Sequence, residues 1–237
     1  MHPILLQNNY QKPNYLWQTG RSTIEIGDLV YKNPDANTDV LPNRFAASLS
    51  TNGLEWMSYN FVTDEEALEV YSHYFLAEGN CVCTGLGLGV RETWLLRNPK
   101  VKSITVIEKN ENVIEFHRRF NKEMVDQITI IHDDATNYKG FCDTLLLDHY
   151  VYPLQDVIEN VKKVVKNISF RKMWFWPLED YIVSNATHNS YFEFYEHIRK
   201  NELTLLPNID AYELYLFIET WFPTFATRER RRILQTS

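Results

Sequence analysis

The sequence predicts an α/β fold in which a doubly wound, mostly parallel sheet follows a small β-rich extension. From residue 80 onward, short apolar runs alternate with stretches of helical periodicity, as expected for strands joined by crossover helices. Upstream, Asn52-Gly53 separates two alternating runs and favours a tight antiparallel hairpin. We therefore expect an N-terminal β-rich extension over residues 1–62 and a Rossmann-like domain over residues 63–237.

The composition is that of a folded, acidic protein. Of its 237 residues, 44% are hydrophobic and 23% are charged, and the formal net charge is −7. The apolar fraction is sufficient for a packed core. The negative charge argues against a nucleic-acid partner, because contact with phosphates requires clustered Lys and Arg. The start has no leader pattern and no window holds about 18 uninterrupted apolar residues, so we expect a cytoplasmic protein without membrane contact.

The sequence contains three cysteines, Cys81, Cys83 and Cys142. The Cys-x-Cys spacing of the first two lies inside an apolar run and is not a recognised metal-ligand pattern. We expect buried free thiols and no bound metal.

The elements before residue 80 are a hairpin and a helix. Residues 44–50 and 54–60 are the two strands of the predicted hairpin. Thr63 and Glu66 have the spacing of a capping box, and Gly79 is expected to end the helix that begins there.

Beyond residue 80 we predict five strands with helices between them. The strands are expected at residues 80–84, 102–107, 127–132, 143–147 and 169–176. One helix is marked by Val113, Phe116 or His117, and Phe120, and another by an apolar series from Val157 to Ile168. The continuous apolar character of the strands indicates a sheet that is covered on both faces.

The strongest chemical signal is a glycine-rich turn between the first of these strands and the next helix. It reads Gly85-Leu86-Gly87-Leu88-Gly89 and directly follows Thr84. Glycine admits positive φ and lets the backbone approach a ligand closely, while the following helix presents unpaired amides. The predicted cofactor contacts here are Thr84, Gly85, Leu86, Gly87 and Gly89. The alternative is a tight strand-to-helix turn that binds no ligand.

Each of the next three strands ends in a carboxylate. Glu108 ends the second strand about 20 residues after the turn, where an acid can accept hydrogen bonds from ribose hydroxyls. An exposed acid that caps the following helix is the alternative for Glu108. Asp133 and Asp134 end the third strand, and Asp148 ends the fourth. Since these ends share one edge of a parallel sheet, we predict one ligand site along it. The cofactor contacts predicted there are Glu108, Lys109, Asp133, Asp134, Ala135 and Asp148.

This combination of motifs resembles a known superfamily. A nicotinamide dinucleotide fingerprint would require a third glycine at the position of Val90, so that class fits less well. The glycine turn, Glu108, the Asp134-Ala135 pair and the Asp148 strand end resemble the class I S-adenosylmethionine-dependent methyltransferases. The outline is most similar to the spermidine synthase-like branch of that superfamily.

The resemblance implies a role for each part of the site. The glycine turn would pack beside the methionine part of S-adenosylmethionine, or beside the same part of its decarboxylated form. Glu108 would hold the ribose, and Asp134 with Ala135 would read the adenine amine. The hairpin and the helix after it resemble, in outline, the N-terminal extension and helix of spermidine synthases. Aminopropyl-transferring members carry an aspartate in a glycine-richer motif, whereas Leu86 and Leu88 occupy the intervening positions here.

Asp148, His149 and Tyr150 are the candidate catalytic residues. Asp148 would lie where a nucleophile meets the sulfonium, so its carboxylate could orient or deprotonate an attacking amine. A helix cap or sheet-edge acid is the alternative for Asp148, and His149 and Tyr150 are candidates for proton transfer or substrate stacking. Trp174 and Trp176 share one face of the fifth strand, and either is a candidate to offer its ring to a cation in the substrate pocket.

Three functions are compatible with these features. The leading prediction is an S-adenosylmethionine-dependent methyltransferase that acts on a small acceptor. The first alternative is a spermidine synthase-like aminopropyltransferase that uses decarboxylated S-adenosylmethionine and a polyamine, a cationic substrate that suits the acidic charge. The second is a binding or structural protein that keeps the fold without turnover. The sequence leaves open the acceptor, with amines and polyamines among the candidates, and whether the protein is a homo-oligomer.

Overall fold

A computed structural model describes residues 23–32, 46–60, 70–149, 160–161 and 163–176. These residues form two sheets, one antiparallel with four strands and one parallel with five. No helix within these ranges is long and apolar enough to cross a bilayer.

The strands and helices follow in a simple order along the chain. The antiparallel sheet consists of β1 (Thr23–Ile26), β2 (Leu29–Lys32), β3 (Ala46–Thr51) and β4 (Leu54–Asn60). The parallel sheet consists of β5 (Gly79–Thr84), β6 (Val101–Glu108), β7 (Thr129–His132), β8 (Gly140–Leu147) and β9 (Ile168–Phe175). The helices are α1 (Tyr71–Leu76), α2 (Val90–Leu95), α3 (Glu111–Phe120) and α4 (Lys122–Val125). Residues 160–161 and 163–165 are also helical.

The predicted hairpin is confirmed. β3 and β4 pair antiparallel with Thr51 opposite Leu54, so Asn52 and Gly53 alone form the loop. Their φ angles are 51° and 79°, the positive values that the mirror-image hairpin turn requires.

The hairpin also contains a β-bulge that the sequence did not reveal. Leu49 pairs with Met57 but the next residue, Ser50, pairs with Glu55, so Trp56 is the extra residue of β4. A bulge redirects the side chains of the strand that contains it. This redirection matters because the bulged part of β4 borders the candidate site.

The order of strands in the parallel sheet, β7-β6-β5-β8-β9, confirms the predicted Rossmann-like architecture. From β5 the chain proceeds to β6 and β7 on one side, whereas β8 and β9 lie on the other. Because parallel crossovers are right-handed, the helices that follow β5 and β6 cover one face and the helix before β9 covers the other. The reversal of direction leaves a crevice between the carboxyl ends of β5 and β8, where open α/β sheets bind ligands.

Some element boundaries differ from the predicted ones. β7 begins at Thr129, two residues later than expected. Ile168, interpreted as the end of a helix, is instead the first residue of β9. Its side chain is buried, and a buried position needs an apolar residue in a helix and in a strand alike, so the apolar character of Ile168 did not distinguish the two. The capping box at Thr63 and Glu66 and the predicted domain boundary lie outside the described residues.

Burial supports both the covered sheet and the link between the two sheets. Leu145 to Leu147, consecutive residues of β8, are all fully buried, so both faces of this strand are covered. The three cysteines are buried and free, as predicted. Tyr31 of β2 packs on Phe116 of α3 with ring centroids 4.9 Å apart, and the Asn112 side chain donates to Asp28 at 2.8 Å. The antiparallel sheet is therefore fixed to the domain that carries the site.

Candidate functional site

A cavity of about 810 Å³ opens at the carboxyl edge of the parallel sheet. This volume lies within the range of small-molecule and cofactor sites. Most of the predicted site residues line it, namely Gly85, Leu86, Gly87, Glu108, Lys109, Asp133, Asp134, Ala135, Asp148 and His149. Thr84 and Gly89 are buried and support the turn from behind the lining. Tyr150 lies outside the described residues.

The glycine turn is tightly packed against the rest of the protein. Its glycines all have positive φ, at Gly85 (74°), Gly87 (50°) and Gly89 (69°). A Cβ added at Gly85 would meet the carbonyl oxygen of Asp148. A Cβ added at Gly89 would lie 3.0 Å from both His117 and Met124. The sequence predicted that these glycines let the backbone approach a ligand closely. At Gly85 and Gly89, the group that lies close is another part of the protein.

The bulged strand β4 forms one wall of the cavity, a contribution that sequence reasoning missed. Met57 covers the glycine turn: its sulfur accepts a hydrogen bond from the Leu88 amide at 3.0 Å, and a Cβ added at Gly87 would meet the same sulfur. Glu55, Trp56, Met57 and Ser58 all line the cavity. The hairpin was predictable from sequence, but the bulge that brings consecutive residues to the cavity was not.

His117 of α3 supports the turn from the side away from the cavity. Its Nε2–H donates to the carbonyl oxygen of Gly87 at 2.8 Å, and Asn121 donates to its Nδ1 at 3.3 Å. Both bonds require the neutral imidazole with the proton on Nε2, because the carbonyl can only accept. His117 is therefore a buried, neutral residue that holds the turn in place.

This arrangement makes folding stability depend on pH. Burial lowers the pKa of His117 to about 4, although the bond to Gly87 opposes the shift, whereas a histidine in the unfolded chain titrates at about 6.5. The unfolded chain binds more protons between these values, so we expect the free energy of unfolding to fall by roughly 3 kcal/mol as the pH decreases through this window. Urea unfolding of the parent and of His117→Gln at several pH values checks this. If the free energy of unfolding of the two proteins depends on pH in the same way, the prediction is wrong.

Glu108 connects the end of β6 to the glycine turn. One carboxylate oxygen accepts from the Leu86 amide at 2.7 Å, and the other accepts from the Asn110 amide at 2.7 Å. Burial raises the pKa of Glu108, and these amide donors oppose the rise. The alternative of an exposed helix cap is wrong, because Glu108 is buried and the side chain of Asn110 caps α3 by accepting from the Asn112 amide.

The loops after β6 and β7 supply a second, partly exposed group of charges. Asp134 accepts from Lys109 at 2.7 Å and from the Thr136 amide and hydroxyl at 2.9 and 2.7 Å. The hydrogen bond from Lys109, followed by those from Thr136, lowers the pKa of Asp134, which is therefore ionised. Asp133 accepts from the Asp134 amide at 2.7 Å and so shapes the same loop. A carboxylate has about four lone-pair positions, so Asp134 keeps acceptor capacity for a ligand.

A buried ion pair beneath the glycine turn was not anticipated from the sequence. Arg91 donates to Glu92 at 2.6 and 2.9 Å, to the Thr84 carbonyl at 3.2 Å and to the Gly85 carbonyl. Its guanidinium also lies 3.7 Å from the Asp148 carboxylate. Burial lowers the pKa of Arg91, but Glu92 and the neighbouring acids outweigh this effect and keep it charged. The only sequence signal was an adjacent Arg-Glu pair in the helix that follows the glycine turn.

Asp148 and His149 are joined through Thr84. The Asp148 amide donates to the Thr84 hydroxyl at 3.2 Å, and that hydroxyl lies 2.5 Å from Nδ1 of His149. Because the hydroxyl accepts from Asp148, its own proton is free to be donated to Nδ1, which leaves the His149 proton on Nε2. Desolvation lowers the pKa of His149, so this ring is neutral near neutral pH. Burial raises the pKa of Asp148, and Arg91 opposes the rise.

Of the two tryptophans predicted as candidates, only one reaches the cavity. Trp176 lines it, and its amide donates to the Leu147 carbonyl at 2.8 Å. Trp174 is 1% exposed and belongs to the core.

Solved structures similar to this chain include methyltransferases and spermidine synthases. A spermidine synthase from Thermotoga maritima aligns with 65% of this chain and 54% of its own length, at 15% identity and a TM-score of 0.43. A spermidine synthase in complex with the transition state analogue AdoDATO aligns with 75% of this chain and 62% of its own, at 14% identity and a TM-score of 0.42. The mitomycin 7-O-methyltransferase MmcR aligns with 48% of this chain and 36% of its own, at 16% identity and a TM-score of 0.36.

This likeness concerns the fold alone. The aligned region spans about half the length of the Thermotoga maritima enzyme. No protein-family model and no curated protein matched the sequence. The activity therefore has to be argued from the site.

Proposed function

We propose that the cavity binds S-adenosylmethionine and that the protein transfers its methyl group to a small acceptor. One observation carries the proposal: the glycine turn and the carboxylates at the carboxyl ends of β6, β7 and β8 line one cavity of about 810 Å³. It lies at the crevice where the strand order reverses, which is where this type of sheet binds nucleotide ligands.

The residues along the cavity fit the parts of such a ligand in order. Glu108 is a buried acceptor already oriented by two backbone amides, which suits a pair of ribose hydroxyls. Asp134 is an ionised acceptor next to buried Ala135, which suits an adenine ring and its exocyclic amine. The glycine turn lies between these groups, because the Leu86 amide donates to Glu108 while Gly85 accepts from Arg91 and lies against the Asp148 carbonyl.

Asp148 is the residue best suited to act on the acceptor. A bound sulfonium supplies an electrophilic methyl group, and the protein contributes mainly by aligning the acceptor with it. Asp148 would orient a nucleophilic amine or alcohol and take the proton that it releases. Burial raises the pKa of this carboxylate, which makes it a stronger base, and Arg91 opposes the rise. His149 and Tyr150 remain candidates for moving that proton onward.

Aminopropyl transfer from decarboxylated S-adenosylmethionine is the second candidate. The acidic residues Glu92 and Asp148 at one end of the cavity favour a cationic ligand. Against it, the positions between the glycines of the turn are occupied by Leu86 and Leu88, which are buried. Leucine has no carboxylate, so neither residue can bind the amine of an aminopropyl group. A scaffold without turnover is the remaining alternative. The three buried free thiols suit a reducing compartment such as the cytoplasm, where we propose that the protein acts.

Calorimetric titration with three ligands tests these proposals. We expect the protein to bind S-adenosylmethionine and S-adenosylhomocysteine more tightly than decarboxylated S-adenosylmethionine. The opposite preference would favour aminopropyl transfer. Failure to bind any of the three would reject the nucleoside site and leave the scaffold alternative.

A further inference from the structure

Glu92 is a buried carboxylate whose hydrogen bonding is incomplete. It lies in the first turn of α2, its side chain is 1% exposed, and it lines the cavity. Oε1 accepts both hydrogen bonds from Arg91, whereas Oε2 has no hydrogen-bond partner among the residues that the structure describes. A buried carboxylate oxygen without a donor is costly, so such an atom beside a cavity indicates a missing partner.

The charges around Glu92 favour a cationic partner. Among the described residues, Arg91 is the cation that pairs with Glu92, and it also donates to the carbonyls of Thr84 and Gly85. Asp148, a second acid, lies 3.7 Å from the same guanidinium. When both acids are ionised, this end of the cavity carries two negative charges against one positive charge.

We propose that Glu92 is a binding residue for a ligand ammonium group, which donates an N–H to Oε2. The inference rests on the proposed function, because it assumes a nucleoside in the rest of the cavity. The ammonium can come from either of two sources: the amino group on the amino-acid part of the cofactor, or an amine acceptor. In both cases Arg91 acts as a positioning residue that fixes the other oxygen of the carboxylate.

The test compares ligands that differ in this ammonium group. S-adenosylhomocysteine carries it, whereas 5′-methylthioadenosine has the same adenine, ribose and thioether sulfur without it. Glu92→Gln keeps an oxygen for Arg91 and replaces the charged acceptor. If the ammonium belongs to the cofactor, we therefore expect calorimetry to show about 10- to 100-fold weaker binding of S-adenosylhomocysteine. Binding of 5′-methylthioadenosine should be unchanged. Glu123→Gln, which removes an exposed acid on α4, is the matched control and should leave both affinities unchanged.

A second titration identifies the source of the ammonium. With the parent and Glu92→Gln saturated with 5′-methylthioadenosine, 1,4-diaminobutane is added as an amine probe. Weaker diamine binding by Glu92→Gln, with unchanged S-adenosylhomocysteine affinity, would assign the subsite to the acceptor. Weaker S-adenosylhomocysteine binding alone would assign it to the cofactor.

A comparison on the parent protein covers the case in which Glu92→Gln does not fold. If the ammonium belongs to the cofactor, the parent should bind S-adenosylhomocysteine at least tenfold more tightly than its analogue with hydrogen in place of the amino group. If it belongs to the acceptor, the parent should bind the diamine. Equal affinities for this pair, together with no diamine binding, overturn the inference. If the parent binds the diamine through Glu92 but binds no nucleoside, the proposed function is rejected and the ammonium subsite is retained. If the parent binds neither the diamine nor a nucleoside, the proposed function and the ammonium subsite are both rejected.

Discussion

Asp148→Asn is expected to leave cofactor affinity near that of the parent and to lower turnover about 100-fold or more, the loss expected when proton-transfer catalysis is removed. Asparagine keeps the size and most of the hydrogen bonding of aspartate but cannot take a proton from an acceptor. The side chain of Asp148 is 25% exposed at the end of β8, so it is accessible from the cavity. The hydrogen bond from its backbone amide to the Thr84 hydroxyl does not involve the Asp148 side chain and should survive the change.

The measurement requires an acceptor, which can be sought by following thioether product formation with candidate small amines and polyamines. Single-turnover rates of the parent and Asp148→Asn are then compared with saturating cofactor. Asp126→Asn, an exposed acid that pairs with Lys122 on α4, is the matched control and should keep the parent rate. Equal rates for the parent and Asp148→Asn would leave Asp148 as a structural acid at the sheet edge.

Glu108→Ala is expected to weaken cofactor binding by about 1.5–3 kcal/mol, the range for hydrogen bonds to a charged group. The alanine removes the proposed acceptor of both ribose hydroxyls, and it also leaves the amides of Leu86 and Asn110 without the carboxylate that they contact now. Glu108→Gln should be milder, because its amide oxygen can still accept from one of these groups.

Calorimetry with S-adenosylhomocysteine measures the effect, and thermal unfolding of the same samples separates it from loss of structure. Glu111→Ala changes an exposed acid at the start of α3 and serves as the control. If Glu108→Ala folds and binds with the dissociation constant of the parent, the role of Glu108 is to hold the glycine turn and not to hold ribose.

The order and type of the elements that form the site were predictable from the residue pattern. The five parallel strands were predictable because a strand covered on both faces must be apolar throughout, as in Leu145-Leu146-Leu147. The hairpin was predictable because Asn52-Gly53 favours positive φ locally. The carboxylates at Glu108, Asp134 and Asp148 were assigned to one edge because parallel strands end together. All of these signals depend on a residue and its near neighbours in the chain.

Which atoms meet at that edge depends on long-range packing. The bond from Leu86 to Glu108 and the contact of Met57 with Leu88 join residues that are 22 and 31 positions apart. Arg91 and Glu92 are adjacent in sequence, but the burial of their ion pair beneath the glycine turn follows from the packing of α2 on the sheet. Such contacts depend on a bulge, a helix orientation or the approach of two strands, and the local pattern of residues does not specify these.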